Sequence, residues 1–357
     1  MPDSPSITDD LASLRDKTEQ SKIPPDLKDK ILQMIRRFEL AMKYGQVFEE
    51  YERLSHYLDW VTKLPWGIYT DDNLDLQNAQ TILDKHHYGL TDVKERLLEY
   101  LAVLKLNRDQ GQTDHLARAP ILLMVGLVGT GKTTFAYSLA EALNRRIVRI
   151  PFGSMGSALD LRGQSRLHLE AEPGYIIKAL VRAQSANPII LLDEIDRVTD
   201  EARNDIMGVL VELLDPEQNH AFLDHYLDYP FDLSQVLFIG TANGISHIAT
   251  AVMDRMEPIS MPSYSDQEKL AIGKNYLLPK ILKEVALPEG VLNLDDQVWS
   301  IIVRPLGYDA GIRTLQRTLQ GIVRKVAKQY VEGNTQPVTL TPDNIKNYLP
   351  SYKSEII

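Results

Sequence analysis

The eight residues Gly126-Leu127-Val128-Gly129-Thr130-Gly131-Lys132-Thr133 constrain this chain more than any other feature. They fit G-x-x-x-x-G-K-[ST], they follow the short apolar run 121–125, and they precede a helical pattern that begins near Thr134. A strand, a glycine turn and a helix in that order gather consecutive backbone N–H groups and a helix N-terminus around one point, which makes a cradle for phosphate. In such a cradle Lys132 bridges the β- and γ-phosphates and Thr133 ligates Mg2+, so ATP and Mg2+ are the expected cofactors. A chance glycine-rich turn is the competing reading, and it leaves the flanking strand and helix unexplained.

That loop belongs to a parallel sheet, and the rest of the pattern supplies one. Short apolar runs at 121–125, 147–151, 189–192, 236–239 and, more weakly, 258–261 alternate with helical stretches. Ahead of them, Leu27, Ile31, Met34, Ile35 and Phe38 recur at helical spacing, as do Phe48, Tyr51, Leu54, Tyr57 and Leu58. Beyond Pro262 no further convincing strand is visible, and Ile312, Leu315, Leu319, Ile322, Val323 and Val326 form one apolar stripe. The expected fold is therefore α/β: a P-loop parallel sheet flanked by helices, with an N-terminal helical region and a C-terminal helical lid. The expected boundaries are 1–70 for the N-terminal helices, 71–261 for the large nucleotide-binding domain, 262–350 for the lid and 351–357 for a tail.

Composition narrows the partners. Lys and Arg number 39 against 49 Asp and Glu, a net charge of −10, so the overall field repels phosphate backbones and anionic membranes and no nucleic acid is expected. The cluster Arg145, Arg146, Arg149 runs against this trend and is expected to be a solvated rim without function. With no cysteine in the sequence, disulfides, cysteine-based zinc sites and thiol catalysis are excluded. Met1-Pro2-Asp3-Ser4 has no leader character and no apolar run approaches the roughly 20 residues of a membrane span, so no membrane is expected and the cytoplasm is the expected location.

Two further strand ends carry polar groups of the right kind. The run 188–192 leads straight into Asp193-Glu194, at the carboxyl edge of the sheet where ligands of open α/β folds sit. Asp193 is suited to the Mg2+ shell and Glu194 to polarising an attacking water; an acidic strand end capping a helix is the alternative. The run 236–239 leads through Gly240-Thr241-Ala242 to Asn243, whose amide could hold that water and the γ-phosphate together, although an Asn after a strand is commonly a turn residue.

With these residues in place the chain resembles the AAA+ module of the Lon family of ATP-dependent proteases. The resemblance is carried by Asp215-Pro216-Glu217-Gln218-Asn219-His220, Asp224-His225-Tyr226-Leu227-Asp228, Pro230-Phe231-Asp232-Leu233-Ser234, Asp254-Arg255-Met256-Glu257, Tyr57-Leu58-Asp59-Trp60, Leu64-Pro65-Trp66 and His87-Tyr88-Gly89-Leu90, and it extends from about Pro24 to Leu349. It implies that His87, Tyr88 and Leu90 form the adenine side of the pocket, with ordinary core at a helix entrance as the other reading. It implies that Arg255 is an arginine finger acting on the neighbouring subunit's nucleotide, against a local pair with Asp254, and that Arg313 is the lid arginine that senses the γ-phosphate. A finger in trans implies a homo-oligomeric ring, hexameric by analogy, acting on unfolded or tagged protein substrates.

The family pattern is broken in two places. Where it implies an aromatic and an aliphatic pore-loop pair, this chain has His168 and Leu169 followed by Glu170, so the grip on apolar substrate is weakened or the segment is a plain surface loop. Nothing in Ser351 to Ile357 can replace the family's Ser-Lys peptidase, so peptidase activity is not expected of these residues alone, and a separate peptidase is a possible partner. The expected function is an ATP-hydrolysing unfoldase or translocase; the alternative is a nucleotide-gated scaffold or regulator that assembles without threading.

Overall fold

Residues buried on both faces dictate where the central strands lie. The computed structural model describes residues 7–43, 45, 48–110, 120–168, 170–303 and 311–350. Its strands, in chain order, are β1 (Ile121–Val125), β2 (Ile147–Pro151), β3 (Ile189–Asp193), β4 (Phe222–Asp224), β5 (Tyr229–Phe231), β6 (Leu237–Ala242), β7 (Met256–Ser260), β8 (Leu292–Leu294) and β9 (Val338–Leu340). All five residues of β3 and all six of β6 are buried, as in interior strands of a sheet covered on both sides. The main sheet has the order β2-β3-β6-β1-β7. Parallel registers pair Ile147 with Ile189 through Pro151 with Asp193, and Ile189 with Leu237 through Leu192 with Gly240.

The chain forms two compact units. The first comprises Met1–Asp75, Glu99–Leu123 and Leu139–Pro258, the boundary falling within β1 and β7. Its N-terminal helices are Ile7–Gln20, Pro25–Met42 and Phe48–Lys63; of the expected stripes they bury Leu27, Ile31, Ile35, Phe38, Tyr51, Leu54, Tyr57 and Leu58, while Met34 is half-buried. Pro25 opens its helix, where a missing N–H goes unnoticed. The segment after the third helix turns on Gly67, at φ 60°, and the Trp66 ring packs on Phe231 with centroids 4.8 Å apart.

The first unit also contains an element that periodicity did not predict, the antiparallel pair β4–β5, closed by Asp228 in the left-handed region at φ 51°. Three residues per strand are too few to show alternation. Arg145 corrects the expected basic rim. Its guanidinium is 1% exposed and grips both carboxylate oxygens of Asp72, at 2.6 and 2.7 Å, while a third nitrogen donates to the Gln235 carbonyl.

The second unit comprises Leu76–Leu98, Met124–Ser138 and Ile259–Ile357. Its helix Asp266–Ile272 starts on a full capping box between Ser265 and Glu268. That helix passes through a π-turn, Gly273–Leu277, into the helix Leu278–Val285. A side chain at Gly273 would lie 2.6 Å from the Trp299 ring, which explains glycine there. The helix Arg313–Val331 buries Leu315, Leu319, Ile322, Val323 and Val326, as its stripe predicts. The expectation of no strand beyond Pro262 is overturned by β8 and β9, which pair in parallel from Leu292 with Val338 to Leu294 with Leu340. Both are three residues long and some forty residues apart, so no local pattern announces them.

Candidate functional site

The second unit brings together the phosphate loop, the lid arginine and the residues expected on the adenine side. Gly129 and Gly131 sit at φ 86° and 98°, the left-handed region that a side chain would strain. The Lys132 ammonium folds over the loop and donates to the carbonyls of Gly126 (2.6 Å) and Leu127 (3.0 Å). Thr130 and Thr134 tie down the same turn through the Leu127 and Gly131 carbonyls, and Thr133 lies half-buried in the first turn of the helix Lys132–Leu143. Val128 and Leu127 remain exposed at the tip.

The lid's first turn rests on that tip. The Ile312 N–H donates to the Gly129 carbonyl at 3.1 Å, and a Cβ on Gly311 would fall 2.6 Å from the backbone of Gly129. A Cβ on Gly129 would in turn meet the Arg313 side-chain stem at 3.3 Å, so Arg313, itself exposed, starts beside the loop. Gly126 is pressed against the Met261 carbonyl, which a Cβ would approach to 2.5 Å, and the Tyr264 hydroxyl donates to the Thr130 carbonyl.

His87 is a core group. Its ring stacks on Phe135 at 3.8 Å, shares a hydrogen bond with the Ser138 hydroxyl at 2.9 Å and is 5% exposed. Burial, with the neighbouring charges of His86 and Lys94, pushes its pKa down to about 3, so the ring is neutral. Leu90 is buried at φ 52°, directly before the helix Thr91–Asp109. Tyr88 is the exposed member of the three and meets Tyr276 edge-on.

The acidic strand edge lies in the first unit. Because β3 and β6 are parallel with Leu192 opposite Gly240, Asp193 and Thr241 follow side by side one residue later. The Thr241 hydroxyl donates to Asp193 Oδ1 at 2.5 Å and accepts the Glu194 N–H at 2.9 Å. Glu194 is left-handed, at φ 57°, a conformation uncommon for a residue with a side chain and frequent at functional positions. One hydroxyl thus fixes the carboxylate of Asp193 and the strained backbone of Glu194 together. The other oxygen of Asp193, Oδ2, is met by Arg149 Nε at 2.6 Å and by a terminal guanidinium nitrogen at 2.5 Å. A buried carboxylate that already accommodates a full positive charge suits a cation, which is the test Asp193 must pass as a Mg2+ ligand.

Asn243 follows β6 half-buried, its N–H donating to Asp196 Oδ2 at 3.0 Å. Arg255 pairs with Asp215 (3.0 Å), not with Asp254, and also donates to the Ala251 carbonyl. That guanidinium, helped by the Glu217 N–H, holds the Asp215 carboxyl below its usual range.

The expected pore-loop residue His168 is exposed, and Leu169 lies outside the described residues. His168 and Glu170 border a cavity of about 620 Å3 shared with His56, Tyr57 and Tyr226. The segment is anchored at its base: the Arg166 guanidinium lies 4.0 Å from the Tyr57 ring centroid. Gly163 sits at φ 74° against Asp224, whose buried carboxylate accepts the N–H groups of Gly174, Tyr226 and Leu227. Burial raises the Asp224 pKa, and those three N–H groups oppose the rise.

Residues 122–263 match the family described as ATPase family associated with various cellular activities, and residues 283–338 match the Lon protease AAA+ ATPase lid domain. The chain carries the AAA ATPase domain and lid of the Lon family. Lon protease of Dictyoglomus thermophilum is 42% identical over 341 residues, 95% of this chain and 42% of that protein. Lon protease of Clostridioides difficile is 41% identical over 96% of the chain and 42% of its own length, and Lon protease 1 of Bacillus subtilis is 41% identical over 96% and 43%. The chain thus spans about two fifths of the length of these Lon relatives.

Sequence reasoning missed Arg149, Thr241 and Asp215. Thr241 was within reach, since aligning the two acidic and polar strand ends in parallel register places it beside Asp193. Arg149 lies in a cluster that reads as a solvated rim; that reading fails for Arg145, which is buried on Asp72, whereas Arg149 is exposed and nevertheless ends on the Asp193 carboxylate. Among the described residues no group of three or more His, Asp or Glu forms a metal cluster, and no helix is long and apolar enough to cross a membrane.

Proposed function

We propose that this Lon-type module binds ATP with Mg2+, hydrolyses it, and does so within a ring that threads polypeptide. The reading rests most heavily on one observation, the Thr241 hydroxyl that holds the Asp193 carboxylate and the left-handed backbone of Glu194 at the same strand edge. A chain that only bound nucleotide would have no use for a carboxylate held in strain one residue beyond a metal-ligating Asp. Gly126 to Thr134 hold the phosphates, with Lys132 exchanging loop carbonyls for phosphate oxygens, and Thr133 and Asp193 are the proposed Mg2+ ligands. When bound, Mg2+ neutralises charge on the phosphate oxygens. Glu194 takes a proton from the attacking water, and Asn243 orients that water. Arg255 acts on the nucleotide of a neighbouring copy, which requires it to leave Asp215, and Arg313 responds to the γ-phosphate from the lid.

Steady-state ATP turnover tests this reading. Specific activity is expected to rise with protein concentration as copies associate, and to fall by roughly a hundredfold or more in Glu194→Gln and in Arg255→Ala. An unfolded protein such as casein is expected to stimulate it. Turnover that is independent of concentration and indifferent to Glu194 would refute hydrolysis in a ring. A second reading, a nucleotide-gated scaffold, draws on the exposed histidine and the carboxylate at positions 168 and 170. Normal turnover with no response to casein, unchanged in His168→Ala, would favour it.

A further inference from the structure

Asp193 is a carboxylate with 4% of its side chain exposed, and a buried carboxylate demands a compensating charge. Arg149 supplies it. Its Nε and one terminal nitrogen converge on the same oxygen, Oδ2, at 2.6 and 2.5 Å, while Oδ1 is taken by the Thr241 hydroxyl. The arrangement is one-sided: two donors share one oxygen, where a guanidinium paired for stability alone commonly spans both. The Arg149 side chain is also 48% exposed, unlike the 1% of Arg145, whose guanidinium does span both oxygens of its partner. Arg145 is built in, whereas Arg149 approaches from the solvent side on β2, so its own charge can return to water once another cation takes its place on the buried Asp193 carboxylate.

We propose that Arg149 is a resident counter-cation of Asp193 that Mg2+ displaces, so that metal loading and release of Arg149 are a single exchange. The proposal rests on the reading of Asp193 as a Mg2+ ligand. Oδ2 cannot serve a guanidinium at 2.5 Å and a Mg2+ ion at about 2.1 Å at once, because two full positive charges would then crowd one oxygen. Arg149 is accordingly a positioning residue, acting on the nucleotide site only through Asp193. It balances the Asp193 charge between turnovers and sets the Mg2+ concentration at which the site loads.

The test is a titration of Mg2+ into the whole chain with fluorescent N-methylanthraniloyl ADP, comparing wild type, Arg149→Gln and Arg149→Lys. Removal of the competing charge in Arg149→Gln is expected to lower the Mg2+ concentration at half-saturation roughly tenfold, the equivalent of about 1.4 kcal/mol. Arg149→Lys, which keeps the charge, is expected to stay near wild type, and nucleotide affinity in EDTA is expected to be the same in all three. A midpoint unchanged or raised in Arg149→Gln overturns the proposal. Failure of every form to bind the nucleotide with Mg2+ would instead bring down the nucleotide-binding reading, and this proposal with it. Should Arg149→Gln not fold, acetylation of the substituted side chain in Arg149→Lys decides the matter. Its rate, followed by mass spectrometry, is expected to rise when Mg2+ and ADP are added, and a rate that does not change refutes displacement.

Discussion

Replacing Thr241 by Val keeps the volume and the β-branching of the side chain and removes one hydroxyl, which is the atom joining Asp193 to Glu194. The Asp193 carboxylate loses a bond of the charged class, valued at about 1.5–3 kcal/mol, and the Glu194 N–H loses its acceptor at a further cost of about 1 kcal/mol. The two losses share a site and are not additive, so a net destabilisation of roughly 2–4 kcal/mol is expected. The kinetic effect is separate. Holding Glu194 left-handed costs about 1–2 kcal/mol, which the Thr241 bond offsets. Without it the backbone relaxes and the carboxylate drifts from its aim, lowering turnover by roughly ten- to thirtyfold. Urea denaturation and steady-state ATP turnover measure the two effects, with Thr241→Ser as the control that keeps the hydroxyl. The reasoning fails if Thr241→Val matches wild type in both assays, or if Thr241→Ser is damaged as badly as Thr241→Val.

Two other outcomes follow from the second unit. His87 titrates near 3 in the folded chain against an ordinary value of 6.5, so the unfolded chain takes up its proton first, and stability present above pH 6.5 drains away as pH falls towards 3. Between pH 7 and pH 5 this group alone should remove about 2 kcal/mol, and the His87→Gln variant should show that much less change in urea midpoint over the same interval; an equal acid slope would show that the ring is not held neutral. Gly311→Ala should weaken nucleotide binding by roughly tenfold or more, since its methyl would sit 2.6 Å from the Gly129 backbone, a clash worth about 1–3 kcal/mol; a fluorescent-ADP titration indistinguishable from wild type would exclude that contact as a constraint on the loop.

The parts of the fold visible in the sequence were those with a long or chemically specific signal. The five strands of the main sheet declare themselves by short apolar runs, of which only β3 and β6 are buried throughout, the helix Arg313–Val331 by its buried stripe, and the phosphate loop by glycines that cannot be replaced where φ is positive. β4, β5, β8 and β9 did not, because three residues are too short for a period and their partners lie elsewhere in the chain. The basic cluster misled for a different reason. On a strand, Arg149 projects to one particular neighbour, while Arg145 precedes the strand and turns inward, and a count of charges contains neither direction. The Asp215 partner of Arg255 was likewise invisible, since forty residues separate them and the adjacent Asp254 offered a simpler pair.

Gly126 and Gly311 are each forced by a backbone lying against them, the Met261 carbonyl and Gly129 respectively, and Gly129 by its positive φ with Gly311 and Arg313 close beside it. They form a single close-packed joint assembled from distant stretches of chain. A mutation at one of them cannot be absorbed by its sequence neighbours, only by a matching change across the joint. Drift here is therefore locked, and an engineer who wishes to alter the lid's first turn will have to redesign the phosphate loop in the same step.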